Sequence, residues 1–160
     1  MQRLWAPWRM EYIGEAPTPG CIFCGKPAEA RDEENFILQR GERAFVMLNA
    51  FPYNSGHLLV APYRHTAELT RLDEEELVEM MRLSQRALRA LARAYHPEGH
   101  NIGMNLGTVA GAGIADHLHL HIVPRWGGDT NFMTVLGDCR VLPEMLAASY
   151  RRLREVWEAP

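Results

Sequence analysis

His117-Leu118-His119-Leu120-His121-Ile122-Val123 alternates imidazole and aliphatic side chains without a break. A period of two is the period of a β-strand, on which successive side chains leave opposite faces. His117, His119 and His121 therefore share one face. Leu118, Leu120 and Ile122 fill the other and hold the strand against a core. Neighbouring imidazoles on such a strand lie roughly 6.6–7 Å apart, twice the rise per residue. Three of the chain's seven histidines fall within these five positions. An edge strand facing water would be served equally well by Thr, Ser, Lys or Glu, whereas titratable rings on a rigid support suit site chemistry.

Working outward, Asn101 to Leu106 reads as a preceding strand, joined to the histidines by a glycine-rich loop from Gly107 to Gly113. Residues 36–40 and 43–48 read as two short strands around Arg40-Gly41-Glu42, and His57 to Ala61 as a third, ended by Pro62. Asp73 to Tyr95 is the clearest helix. Asp73 is a good N-cap, Glu76 completes a capping-box pattern, and Glu74, Glu75 and Glu76 suit the positive end of the dipole. Leu77, Met81, Ser84, Leu88, Leu91 and Tyr95 repeat at helical spacing as a core-facing stripe, and Pro97 and Gly99 stop the helix. Arg82, Arg86, Arg89 and Arg93 form a second stripe, read as a solvated face. Residues 125–142 look irregular, and Pro143 to Glu158 reads as a terminal amphipathic helix. Strands gathered around one long helix point to an α+β fold with a mainly antiparallel sheet.

The 160 residues fit one domain with a real core, and a net charge of −3 gives no hint of bulk nucleic-acid affinity. No apolar run approaches the roughly 20 residues that span a bilayer. The first ten residues lack the apolar stretch of a signal peptide, so the expected location is the cytoplasm. Cysteines there stay reduced, and Cys21 and Cys24 invite a metal reading over a disulfide one. A redox motif and a turn with packed thiols remain open beside it. Cys139 has no evident partner and reads as a small apolar residue.

A neutral imidazole can be a nucleophile, a general acid–base or a metal ligand. For attack through one ring nitrogen, the other must carry the proton and be held by an acceptor, such as a backbone carbonyl. The central residue, His119, has a ring on either side, so a phosphoryl group over it can be attacked in line while His121 donates to a phosphate oxygen. Gly107, Gly111 and Gly113 let backbone N–H groups converge on an anion. Three histidines on one zinc is the competing arrangement, disfavoured because the row spans too far to converge at roughly 2 Å.

The pattern at 117–123 resembles the signature of the histidine triad family of nucleotide hydrolases and transferases. The likeness runs from Cys21 to Arg125, and Asn49, Pro52, Gly56 and His57 match the family's upstream segment. Trp5-Ala6-Pro7-Trp8-Arg9 and Pro124-Arg125-Trp126-Gly127-Gly128-Asp129-Thr130-Asn131-Phe132 resemble a bacterial branch of diadenosine tetraphosphate phosphorylases and hydrolases. The resemblance implies a sheet of about five strands with one long and one C-terminal helix. It implies an irregular extension over 1–20, the family domain over 21–125, and a loop and helix over 126–160 packed on the same domain. It implies His119 as nucleophile through a nucleotidyl-histidine intermediate, His121 on the phosphate, and His57 as a fourth site histidine. Asn49 would bind ribose, Asn105, Gly111 and Gly113 would approach phosphate, and purine would lie against Phe45 and Leu48. Cys21, Cys24, His65 and His117 would hold a structural zinc, and the chain would be a homodimer binding a nucleotide, with neither nucleic acid nor membrane as partner. An adenosine phosphoramidate hydrolase and a nucleotide-binding protein with little turnover are the alternatives. The chain departs from the family at Gly111-Ala112-Gly113-Ile114-Ala115-Asp116, one residue longer and without the usual Gln or Ser, so backbone N–H groups or Thr108 would make the leaving-group contacts.

Overall fold

A computed structural model of the chain describes residues 20–129 and 144–157. Helix α1 (Ile22–Ala28) leads into strands β1 (Ile37–Arg40), β2 (Ala44–Leu48) and β3 (Leu58–Pro62). Helix α2 (Glu74–Tyr95), strands β4 (Gly99–Met104) and β5 (Leu120–Arg125), and helix α3 (Leu146–Trp157) follow. The strands form one sheet in the order β1-β2-β3-β5-β4, and every neighbouring pair is antiparallel. The architecture is α+β, as the element pattern predicts.

Strand parity divides the core. Ala44, Val46 and Leu48 of β2, Leu58 and Val60 of β3, and Leu118, Leu120 and Ile122 pack on one face against α2 and α3. Tyr150, Leu153 and Trp157 of α3 enter that same cluster. Phe45, Met47, Leu59 and Ala61 leave the opposite face and gather under Phe23 of α1. That second face carries all three histidines of the 117–121 row. The hydrogen-bonded strand begins only at Leu120, so His117 and His119 precede it, yet the alternation of faces already holds there.

Helix α2 starts as its capping box requires. Asp73 accepts from the Glu76 N–H, and the Glu76 carboxylate accepts from the Asp73 N–H. The buried stripe is Glu76, Met80, Leu83, Ser84, Ala87, Ala90 and Leu91. Of the predicted stripe, Ser84 and Leu91 belong to it, while Leu77 and Met81 lie 37 % and 54 % exposed. The helix is rotated by about one residue from the sequence reading. Small Ala87 and Ala90 let it lie close to the sheet, and Glu76 is buried because its carboxylate is consumed by the cap and by Arg64. Glu79 fastens the β1–β2 turn by accepting from the N–H groups of Glu42, Arg43 and Ala44.

The β2–β3 loop is drawn back on itself, with the Asn49 N–H donating to the His57 carbonyl. Gly56 has φ +78°, and a Cβ there would meet Leu91 and Tyr95 of α2 at 3.0 Å, so glycine is required where loop and helix touch. Trp5 to Arg9, Thr130 to Phe132, Cys139 and Pro143 lie outside the described residues.

Candidate active site and metal centre

Each histidine of the row has a different partner. His117 is fully buried, and its Nε2–H donates to the Pro62 carbonyl at 2.9 Å. Its Nδ1 is thereby left unprotonated. That nitrogen faces Cys21 Sγ at 3.2 Å, His65 Nδ1 at 3.3 Å and Cys24 Sγ at 3.6 Å, and Cys24 Sγ lies 3.4 Å from His65 Nδ1. A tetrahedral zinc with ordinary bond lengths has edges of about 3.3 Å between two nitrogens and about 3.6 Å between nitrogen and sulfur. All four donor atoms lie within 4.8 Å of one another. Cys21, Cys24, His65 and His117 therefore fit a tetrahedral metal, with the Pro62 carbonyl fixing one ligand's tautomer and Asp116 lying 3.8 Å from His65 Nε2. Helix α1 starts at this pair of cysteines, an element that the sequence reading leaves out.

His119 turns its Nδ1–H to the His117 carbonyl at 2.9 Å. The lone pair is thereby assigned to Nε2. The Phe23 ring lies 4.7 Å from the imidazole and fixes its plane. Burial pushes the His119 pKa below the usual histidine value, so the ring is neutral near pH 7.

His121 is wired in the opposite sense. The Tyr53 N–H donates to His57 Nδ1 at 3.0 Å, so His57 carries its proton on Nε2. That Nε2 lies 2.9 Å from His121 Nδ1, which must accept. A neutral His121 then bears its proton on Nε2, a buried atom with no hydrogen-bond partner among the described residues. Burial, with the neighbouring His119 second, brings its pKa down to about 4. The His119 and His121 rings are 4.8 Å apart between centroids. This is closer than strand rise alone predicts, because the side chains lean together. An attacking lone pair and an unpartnered donor thus stand side by side, as transfer of a phosphoryl centre requires. Because each imidazole has its own partner, the three do not converge on one ion.

Asn49 borders this site. Its Oδ1 accepts from the Phe51 N–H, and its Nδ2 lies 3.3 Å from His57 Nδ1. Asn105 donates weakly to the Gly111 carbonyl at 3.4 Å, in the loop that leads to the histidines. Gly111 takes φ +90° there, while Gly113 needs no positive φ. Phe45 and Leu48 are not brought to the site. Both are fully buried, and parity puts them on opposite faces of β2, Phe45 beneath α1 and Leu48 beneath α2, so neither has surface for a purine.

Several groups at the site escape sequence reasoning. Tyr53 lies nearly parallel to His121, 5.8 Å between ring centroids. Asp129 is gripped by Arg125 through Nε and Nη2, and also accepts from Asn54 Nδ2. The i, i+4 spacing of Arg125 and Asp129 is the one local signal that could have found this pair; nothing local announces Tyr53.

A HIT domain family model matches residues 30–128. The chain is 43 % identical over 166 residues to an AP-4-A phosphorylase of Mycobacterium tuberculosis, covering 98 % of this chain and 85 % of that protein. Among solved structures it resembles a Zn-bound histidine triad family protein from Mycobacterium smegmatis, with TM-score 0.70 and 32 % identity over 86 % of this chain and 93 % of the other. A protein from Sulfolobus tokodaii described as a hypothetical histidine triad nucleotide-binding protein superposes with TM-score 0.69 and 27 % identity over 86 % of this chain and 92 % of the other.

Proposed function

The chain belongs to the HIT domain family, and from that membership together with the wiring of His119 we propose that it cleaves a dinucleoside polyphosphate of the diadenosine tetraphosphate kind. It is an enzyme of the nucleotide hydrolase and transferase class. The observation that carries the reading is the His119 Nδ1–H bond to the His117 carbonyl, which leaves Nε2 as the nucleophilic atom. In the first step Nε2 forms a bond to the α-phosphorus, and the bond from that phosphorus to the bridging oxygen breaks. The electron pair leaves with the remaining nucleotide. The His117 carbonyl steadies the positive charge that the ring acquires, and the His121 Nε2–H donates to a non-bridging oxygen. Water or inorganic phosphate then attacks the same phosphorus and restores the imidazole. His57 holds His121 in the donating tautomer. Asn49 takes the ribose hydroxyls, and Asn105 with the backbone of Gly111 and Gly113 takes phosphate.

Zinc bound by Cys21, Cys24, His65 and His117 would act structurally, since four protein donors leave no open position for substrate. Its part would be to anchor the segment from which His119 projects. The chain forms a homodimer through the outer edge of β4, a strand that ends the sheet and carries the half-exposed Ile102. Its place is the cytoplasm, and its ligand is a nucleotide, with neither nucleic acid nor membrane as partner. The residues fall into an extension over 1–20, the catalytic domain over 21–125, and a loop and helix over 126–160. A substrate panel of diadenosine polyphosphates and adenosine phosphoramidate, run with and without inorganic phosphate, tests the reading. Turnover of the diadenosine compounds supports it, and turnover of the phosphoramidate alone refutes it.

A further inference from the structure

A cavity of about 420 Å³ opens beside His121, on the side away from the metal cluster. Tyr53, His121 and Gly103 bound one end, and Asn101, Arg125 and Asp129 the other. Its volume is in the range of small-molecule sites, well beyond what a single phosphate needs. Its charge points the same way. Among the described residues that line it the only cation is Arg125, and that guanidinium is spent: Nε and Nη2 bind Asp129 and Nη1 binds Asn101. What remains is neutral, comprising an aromatic wall, amide groups and a strand face. Gly103 sits opposite His121 in the β4–β5 register, and a Cβ there would meet nothing within 4 Å. The cavity floor is thus open opposite His121 among the described residues.

Resting on the functional reading above, we propose that this cavity receives the nucleoside of the leaving half of the substrate. The phosphate chain expelled from His119 runs past the donor of His121, and the terminal base enters the cavity and lies against the Tyr53 ring. Asn101, whose Oδ1 is held by Arg125, offers Nδ2 to an acceptor on the base edge. A neutral, aromatic-walled pocket takes an uncharged base more readily than another phosphate. The enzyme therefore distinguishes a dinucleoside polyphosphate from a mononucleoside polyphosphate of the same phosphate number.

The test compares kcat/KM for diadenosine tetraphosphate and adenosine tetraphosphate, in the wild-type chain and in Gly103→Leu, which fills the floor without replacing a reacting group. The expected wild-type preference for the dinucleoside is about tenfold or more, the contribution of one stacked base. Gly103→Leu should erase that preference and leave adenosine tetraphosphate unchanged. Asn101→Val should reduce it in the same direction, which keeps the test available if the leucine variant fails to fold. Equal wild-type rates on both compounds, or a parallel fall for both in the variants, overturns the pocket assignment and leaves the functional reading standing. Turnover of neither compound by the wild-type chain overturns the functional reading and this inference with it.

Discussion

One carbonyl oxygen decides which nitrogen of His119 can react. Because the His117 carbonyl holds Nδ1–H, His119→Ala should lower kcat by about 10³-fold or more. Circular dichroism and bound metal should be unchanged, since none of the metal-cluster atoms belongs to His119. His121 gives a pH signature. Its folded pKa of about 4 lies below the roughly 6.5 of an unfolded histidine. Between these values the unfolded chain binds a proton that the folded chain refuses, so this group's contribution to stability is full above pH 6.5 and is lost as the pH falls towards 4. Among the described residues its ring contacts are His57, His119 and Tyr53, and the Asp129 carboxylate that shares its cavity is held by Arg125. In thermal melts from pH 7 to 4.5, His121→Gln should lose less Tm on acidification than the wild type, and an equal loss contradicts the assignment. At this scale the sequence was legible where chemistry repeats locally. The alternation at 117–121 shows that the three histidines share one face, whereas Phe45 and Leu48 have no surface for a purine, because likeness transfers identity and parity decides exposure.

Among the elements, α2 shows what local signals can and cannot reach. Its start is readable because the capping box is complete within four residues. Its buried face is not, because two stripes with the same spacing run beside each other, and the buried one mixes Met80, Leu83 and Leu91 with two alanines, a serine and a glutamate. Helix α1 is not legible in the sequence because seven residues including Pro27 carry little helical signal, and tertiary packing of Phe23 supplies the rest. The carboxylate of Glu79 ties α2 to the β1–β2 turn through three backbone N–H groups. Glu79→Ala should therefore destabilise the fold by about 1 kcal/mol in denaturant titrations, the net worth of the bond to the buried Ala44, since water can take over the exposed N–H groups of Glu42 and Arg43. A change within a few tenths would show the latch to be idle.

For the whole molecule, the cluster of candidate metal ligands joins segments far apart in the chain: Cys21 and Cys24 before the sheet, His65 after β3, and His117 before β5. Such long spacings are weak sequence signals, and only the fold shows that the donors meet. Elemental analysis should find about one zinc per chain, lost in Cys21→Ser and retained in His119→Ala, and a chelator should lower Tm by about 5 °C or more. If the free edge of β4 is the proposed interface, light scattering should report twice the chain mass, and Ile102→Lys should shift it towards the monomer. A monomeric wild type refutes that interface.

Covalent attachment of a nucleotide to His119 is open to direct trapping. Under single-turnover conditions with diadenosine tetraphosphate labelled at the α-phosphorus, acid-labile label should appear on the chain and decay at the catalytic rate, and be absent in His119→Ala. Measurable cleavage with no label trapped on the wild-type chain would contradict it.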